Sequence, residues 1–442
     1  MTSQPGAVRT SPGLTLAYLG TAALAFVVAA AGVPWLAPEL AGHYYQPRVL
    51  ALTHTVTLGW ITLTIMGASY QLAPIVFQRP VWSVRLARVQ LTVMVVGVSG
   101  MIAHFFIGEW SGLVWGAAFV TLGVVAHVVN FGMTLRGVRP WTFTATMFAV
   151  ALGGITATTA AGLALGVDRL VPFVPLPFYP RLHAHFHLAV LGWIMPMVFG
   201  VGAHVYPLFL RAAAPGRAWQ RVQAWGLVCG VPLIVTGAAL SASVVTIAGA
   251  LAVTTAVAAH LAALSSMVRT RKSPLSDCAL SFVLTGAALL APATALGLGF
   301  ALDVIGGPRL GLAYAALVLG GWVSLTIVGV MLKIVPFLVW YRVYAPLAGR
   351  GAVPTLAELS WPRAERGAHG LLAAGIVSLT GALAVGDPRW IRPTGWLVAA
   401  GALALALTVA AALSHLVRRR VSQPAAGHTA EPISGSSPGS PR

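Results

Sequence analysis

Long apolar runs, separated by short and mostly basic connections, occupy almost the whole sequence between residues 13 and 417. Only 8% of the 442 residues are charged, whereas a soluble domain carries about 25%. A chain of this kind could not cover its own surface with polar groups in water, so its solvent is lipid. A helix needs about 20 apolar residues to cross the hydrocarbon of a membrane. Twelve segments meet this requirement, at approximately 13–36, 49–77, 84–106, 111–135, 143–166, 182–210, 219–241, 243–268, 277–302, 309–341, 367–386 and 394–417.

Lysine and arginine are distributed unevenly between the two sides of this predicted all-α membrane helix bundle. The amino terminus, the even-numbered loops and the tail carry 20 of the 27, and the odd-numbered loops carry six. Because basic loops are retained in the cytoplasm, we expect a cytoplasmic amino-terminal segment 1–12 and a disordered cytoplasmic tail 418–442. The expected location is a bacterial inner membrane. The net charge of +18 therefore indicates contact with membrane lipid and not with nucleic acid.

A threefold internal repeat divides the chain. Gly59, Gly192 and Gly321 are each followed by Trp, by a second Gly eight residues on and by a Pro seven further, at offsets of 133 and 129 residues. In the span count these are the second, sixth and tenth helices. Because small residues let membrane helices approach closely, we expect these three helices to face the interior. The predicted four-helix repeats cover about 13–135, 143–268 and 277–417.

Two segments carry a family resemblance. The second span reads Leu-Thr-His-Thr-Val-Thr-Leu-Gly-Trp from Leu52, and the sixth reads His-Ala-His-Phe-His-Leu-Ala-Val-Leu-Gly-Trp from His183. Together with the three four-helix repeats of the chain, these segments resemble subunit I of the heme-copper oxidases. The resemblance is to the divergent members, the C-type cytochrome c oxidases and the nitric oxide reductases. The resemblance implies that His54 ligates a low-spin haem and that His187 (or His183) ligates the active-site metal.

The same resemblance implies a redox role linked to oxygen or nitric oxide in respiratory electron transport, with haem b and with or without copper. A redox partner or accessory subunit would deliver electrons, because the chain has no Cys-x-x-Cys-His haem attachment. The family's other ligands are missing. The tenth span presents Ala316 where the repeat places a histidine, and no two histidines are adjacent. We therefore expect at most one b-type haem per chain and little or no oxidase turnover.

The remaining histidines divide into candidate ligands and structural groups. His183 and His187 lie four residues apart, on one helix face and about 6 Å apart along its axis, so they could share a metal. His185 is rotated by roughly 200° from His183 and should point away from that face. His104 and His43, near the same membrane face as His54, could each supply a second axial haem ligand. His127 and His260 recur at the repeat offset and are interpreted as packing residues.

A polar column recurs three residues before each repeat proline. It consists of Gln71, His204 and Lys333, which we expect to face the bundle interior in the inner half of the membrane. Such a column suits a second hypothesis, in which the chain is a transporter or metal-handling permease with a histidine-lined path and no haem. Internal repeats and twelve spans are also typical of transporters. A Soret absorption band would separate the two hypotheses.

Overall fold

The computed structural model describes residues 12–272, 277–349 and 351–417. Within these residues, twelve helices are long and apolar enough to cross a membrane, which confirms the predicted all-α bundle. They are α1 (Pro12–Trp35), α2 (Pro47–Phe77), α3 (Val84–Ile107), α4 (Trp110–Leu135), α5 (Phe143–Leu170), α6 (Phe178–Leu210), α7 (Arg217–Ala239), α8 (Ser243–Arg269), α9 (Cys278–Ala301), α10 (Pro308–Val343), α11 (Pro362–Val385) and α12 (Pro388–Ser414). The described part contains no β-strand. Apart from Pro12, the predicted terminal segments 1–12 and 418–442 lie outside the described residues.

The three arcs of four helices close into a ring. Helix α4 packs against α5, α8 packs against α9, and α12 returns to pack against α1, so each arc of four helices joins the next. Helices α2, α6 and α10 lie inside this ring. The buried share of their apolar windows is 67%, 61% and 72%, against at most 44% for the other nine helices. The interior position predicted for the three repeated helices is therefore confirmed. We call the end of the bundle that holds His54 the outer end, following the charge-based orientation.

Glycine contacts repeat with the threefold pattern. A methyl group added to Gly67 of α2 would lie 2.4 Å from the Cβ of Tyr18 on α1. Methyl groups on Gly200 and Gly329 would come equally close, at 2.5 Å, to atoms of α5 and α9. In every arc the first helix therefore touches the backbone of the inner helix at the second glycine of the repeated frame. Without a hydrophobic force between helices in lipid, this close approach is a main source of their packing energy.

All three inner helices contain a π-helical segment at the same place in the repeat. The segments are Thr55–Thr62, Leu188–Ile194 and Ala316–Ser324. Each begins at or directly after the position of His54, and each contains a Gly-Trp pair of the repeat. π-Helical turns are rare and are concentrated at functional sites. One such segment could arise from a local accident of packing, but three at equivalent positions make it a property of the repeat.

The tryptophans of these segments link the three arcs at the centre of the bundle. Trp60, Trp193 and Trp322 are at most 2% exposed. The indole of Trp60 donates to the Ser324 hydroxyl at 3.0 Å, and that of Trp193 donates to the Thr62 hydroxyl at 3.2 Å. The two acceptors are equivalent residues of the third and first repeats. Each bond therefore runs from one repeat to another, around the central axis.

The third arc keeps this packing but contains an insertion. Tight glycine contacts join the last two helices of each arc, at Gly97 to Val120, Gly230 to Val253, and Gly375 to Val398. Gly97 and Gly230 are 133 residues apart. Gly230 and Gly375 are 145 residues apart, whereas the repeated glycines of α6 and α10 are 129 apart. The difference is the longer connection between α10 and α11. It contains two short 3₁₀ turns, Ala345–Leu347 and Leu356–Leu359.

Candidate functional site: histidines of the outer half

His54 is held in one orientation by its own helix. It is the last residue before the π-helical segment of α2, and its Nδ1–H donates to the Leu50 carbonyl at 2.8 Å. The imidazole stacks on Phe105 of α3, with ring centroids 4.7 Å apart and planes 26° apart. The carbonyl contact assigns the proton to Nδ1. Nε2 is then a free lone pair, and no hydrogen bond to it occurs among the described residues. A backbone partner on the second nitrogen is the usual support of a histidine that ligates a metal.

His187 repeats this arrangement in α6. It is the last residue before the second π-helical segment, and its Nδ1–H donates to the His183 carbonyl at 2.9 Å. Each of the first two arcs therefore has an imidazole at the equivalent position, with its Nδ1 bonded to a carbonyl of its own helix and its Nε2 without a hydrogen bond among the described residues. The third arc has Ala316 at this place, the first residue of its π-helical segment.

His185 points to a different neighbour from the histidines on either side of it. Its ring lies against α5, where a methyl group added to Gly162 would come within 2.9 Å of Cε1. The backbone of Thr158 lies within hydrogen-bonding reach of the ring. The Nδ1 of His185 is buried and has no hydrogen-bond partner among the described residues. A buried polar atom without a partner is costly, which makes this nitrogen a candidate for binding a ligand or a water molecule.

The sequence placed His185 on another face from His183 but gave no sign of what it would meet there. The residue was therefore missed as a candidate. A signal was present in Gly162, a small residue on α5 that leaves room for an imidazole, but only the packed structure shows that the two residues are neighbours.

His183 is held by the loop that precedes α2. Its Nε2 lies 3.0 Å from the Tyr44 hydroxyl. Tyr44 in turn packs its ring on His43, at 4.3 Å between centroids, and on Tyr179, at 6.5 Å. Burial raises the pKa of Tyr44 above its ordinary value, which keeps its hydroxyl protonated. No described contact joins the ring of His183 or of His43 to His54.

The stiff loop before α6 is fastened at this outer end. One carboxylate oxygen of Asp168, at the end of α5, accepts from the amides of Phe173 and Val174 at 2.8 Å each. The other oxygen pairs with Arg181 at 2.7 Å. Both side chains are largely shielded, so this ion pair joins the end of α5 to the first turns of α6. The loop is therefore fastened at both ends, and Arg181 lies two residues before His183 in the sequence.

His104 is oriented by contacts of its own. Its Nδ1–H donates to the Gly100 carbonyl at 2.7 Å, and its Nε2 lies 3.9 Å from a carboxylate oxygen of Glu109. The ring also closely approaches Gly112, in the first turn of α4. Glu109, which caps α4, therefore lies near the free nitrogen of His104 but beyond hydrogen-bonding distance. Among the described residues no three His, Cys, Asp or Glu side chains form a group able to hold a metal ion.

The polar column is distributed over three helices in the inner half. The Gln71 Oε1 is buried without a hydrogen-bond partner among the described residues. His204 is partly buried. Lys333 forms an ion pair with Asp277, the amino-terminal cap of α9, near Glu365 of α11. No described hydrogen bond or ion pair joins any two members of the column.

His127 and His260 belong to buried glutamine–histidine pairs. The Gln90 amide lies 3.4 Å from His127 Nδ1, and the Gln223 amide lies 3.4 Å from His260 Nδ1. All four side chains are at most 5% exposed. The two glutamines also follow the 133-residue offset, a recurrence that could have been found in the sequence together with that of the histidines.

Comparison of the sequence with protein-family models and with the curated proteins finds no match.

Proposed function

We propose that this chain is an integral membrane haem protein of the heme-copper oxidase subunit I type, holding one b-type haem in the outer half of the bundle through His54. Its role would be electron transfer or a response to oxygen or nitric oxide. The proposal rests on the resemblance of α2 and α6 to that family and on the state of two histidines. It places the protein in a bacterial inner membrane with both termini in the cytoplasm.

One observation carries the proposal. His54 has its Nδ1 fixed on a backbone carbonyl and its Nε2 free, and His185 of α6 has a buried Nδ1 without a hydrogen-bond partner among the described residues. Two imidazoles are the common axial pair of b-type haem proteins, and imidazole is a standard ligand of haem iron. These residues would hold a haem through His54, with His185 as the candidate for the second ligand. Such a group supplies reversible one-electron transfer or binding of a diatomic gas.

The chain's own residues would bind the haem, orient its ligand and shield it from water. The Leu50 carbonyl holds the His54 tautomer, and Phe105 fixes the plane of its ring. The loop fastened by Asp168 limits the entry of water from the outer face. Water exclusion and hydrogen bonds to the ligand are two of the means by which a protein sets the potential of a bound haem.

The proposal excludes the family's oxygen chemistry. Ala316 replaces the third-arc histidine, and His104 is turned towards Glu109. The described residues offer no three-ligand group for copper. We therefore propose one haem per chain and no oxidase turnover of the family type. Electrons would reach it from a redox partner or an accessory subunit.

The test is the absorption spectrum and haem content of the purified protein, expressed with ample haem. We expect a Soret band at no more than one haem per chain, lost in His54→Ala. The matched control is His369→Ala in α11, which removes a histidine bonded to Thr285 and leaves the outer half intact. An unchanged band in His54→Ala would remove that residue from the role, and a colourless wild-type protein would overturn the haem proposal.

A permease is the second candidate, favoured by one observation. Each inner helix is interrupted by a π-helical segment near mid-length, and Gln71 leaves a buried oxygen unpartnered in the inner half. Interrupted helices are where transporters place substrate sites. A colourless wild-type protein would favour the permease. Reporter fusions test the orientation that both candidates need: Pro140 should report cytoplasm, and Gly108 and Leu176 should report the outside.

A further inference from the structure

A cavity lies on the central axis of the bundle, on the inner side of the three buried tryptophans. Its volume is about 80 Å³. All three inner helices line it with equivalent residues, as Ala68, Val201 and Val330 show, and Leu19 of α1 completes the wall. The cavity is therefore a product of the threefold repeat and is shared by all three arcs. None of the proposed haem residues lines it.

The wall of this axial cavity is apolar in character. The hydroxyls of Thr64 and Ser69 are already satisfied, since each donates to a carbonyl of its own helix at 2.7 Å. Thr326 and Tyr206 add two more hydroxyls to the wall. The remaining lining residues are apolar, and none of the lining residues is charged. A water molecule needs two to four polar partners to remain in such a space, so the apolar surface that dominates this wall favours an apolar occupant.

The size of the cavity limits what it can hold. An aliphatic cavity of about 150 Å³ stays dry and binds benzene or xenon. The axial cavity has roughly half that volume, which is too small for an aromatic ring or a lipid chain segment of any length. On the side of the tryptophan layer the wall begins with Thr64, Met197 and Thr326, each four residues after a tryptophan. The members of its wall nearest the inner membrane face, such as Leu72, directly follow the polar column in sequence.

We propose that the axial cavity is a binding site for a small uncharged gas, of the size of a diatomic molecule, reached from the inner half of the membrane. Dispersion contacts with three helices at once would hold the molecule. Such a site could supply a gas-linked protein from the lipid phase, where apolar gases are more soluble than in water. The proposal does not depend on haem, because its residues and its probe are different.

Xenon tests the site in the full-length protein. Crystals equilibrated under xenon pressure should show one anomalous peak on the axis, between Ala68, Val201 and Val330. Val330→Phe should fill the space and lower xenon occupancy by about tenfold or more. If that variant fails to fold, Ala68→Leu fills the same space with a smaller side chain. Ile327→Ala enlarges the cavity and should raise occupancy.

The matched control is Ala258→Leu, which adds similar volume to an exposed position of α8. It should leave the xenon peak unchanged. Absence of a peak in the wild-type protein, or ordered water or a lipid chain in its place, would overturn the proposal. Equal occupancy in wild type and in the filled variants would overturn it as well. The haem spectrum is a separate measurement, so the absence of a xenon peak would not argue against haem binding, and the absence of a Soret band would not argue against the gas site.

Discussion

The third arc of the bundle differs from the first two in its polar groups and resembles them in its packing. All three arcs share the glycine contact of the inner helix, the π-helical segment and the buried tryptophan. At the outer site, the first two have His54 and His187, whereas the third has Ala316. In the inner half they have the buried glutamine–histidine pairs. The glycine contacts place Ala368 and Leu405 at the corresponding positions of α11 and α12.

This difference separates the packing residues that build the fold from the polar residues that are added to it. Close backbone approach and apolar burial are needed wherever two helices meet, so they recur in every arc. A buried polar group stabilises a fold only when its partner is present, and an apolar pair of similar shape can replace both at little cost. The third arc has made that replacement. Its own polar group is the ion pair of Asp277 and Lys333, which the other arcs lack at the equivalent positions.

The largest expected effect distinguishes two histidines of α6. If His185 supplies the second axial ligand, His185→Ala should abolish or strongly shift the Soret band. His187→Ala, in the same turn of helix but oriented by the His183 carbonyl, should leave the band in place. Absorption spectra of the oxidised and reduced proteins make the measurement. Equal loss in both variants would mean that the ligand set has been assigned wrongly.

Glycine substitutions test whether the arcs are equivalent in packing. Gly67→Ala, Gly200→Ala and Gly329→Ala each push a methyl group to within 2.5 Å of a neighbouring helix. Overpacking of this kind costs about 1–3 kcal/mol, and we expect similar losses in the three arcs. Unfolding in mixed detergent micelles gives the free energies. Gly153→Ala, where a methyl group would meet no atom within 4 Å, is the control and should not destabilise. A loss confined to one arc would break the equivalence.

The glutamine–histidine pair of the first arc can be converted to the residues of the third. Gln90→Ala and His127→Leu, made singly, each leave a buried partner unsatisfied, at a cost of about 1–3 kcal/mol. The double variant reproduces Ala368 and Leu405 and should cost less than the sum of the two. A double-mutant cycle on unfolding free energy measures this coupling. Strict additivity would show that the two side chains do not support each other.

The smallest effect belongs to the polar group of the third arc. Lys333 and Asp277 are 37% and 29% exposed in their side chains, so neither is enclosed by protein. A double-mutant cycle of Lys333→Met and Asp277→Asn should therefore give a coupling of about 0.2–1 kcal/mol, the range for exposed pairs. A coupling of several kcal/mol would place the pair in hydrocarbon and make Lys333 a candidate for transport.

The bundle itself was predictable because its determinants are local. Apolar length defines each span, and the spacing of glycine, tryptophan and proline identifies the three inner helices without any knowledge of their contacts. His54 and His187 could be singled out for the same reason, since their equivalence is an offset in the sequence. The spans, the repeat and the inward helices were thus determined by the sequence alone.

Only the tertiary structure decided which histidines meet. His183, His185 and His187 precede the π-helical segment of α6, so the regular α-helical spacing predicts their directions but not the neighbours that they meet. His185 meets Gly162 because α5 lies beside it, and His104 approaches Glu109 because α4 begins there. The axial cavity likewise exists only where three helices, each more than a hundred residues from the next, converge. Contacts over such distances depend on packing, which no local pattern of residues specifies.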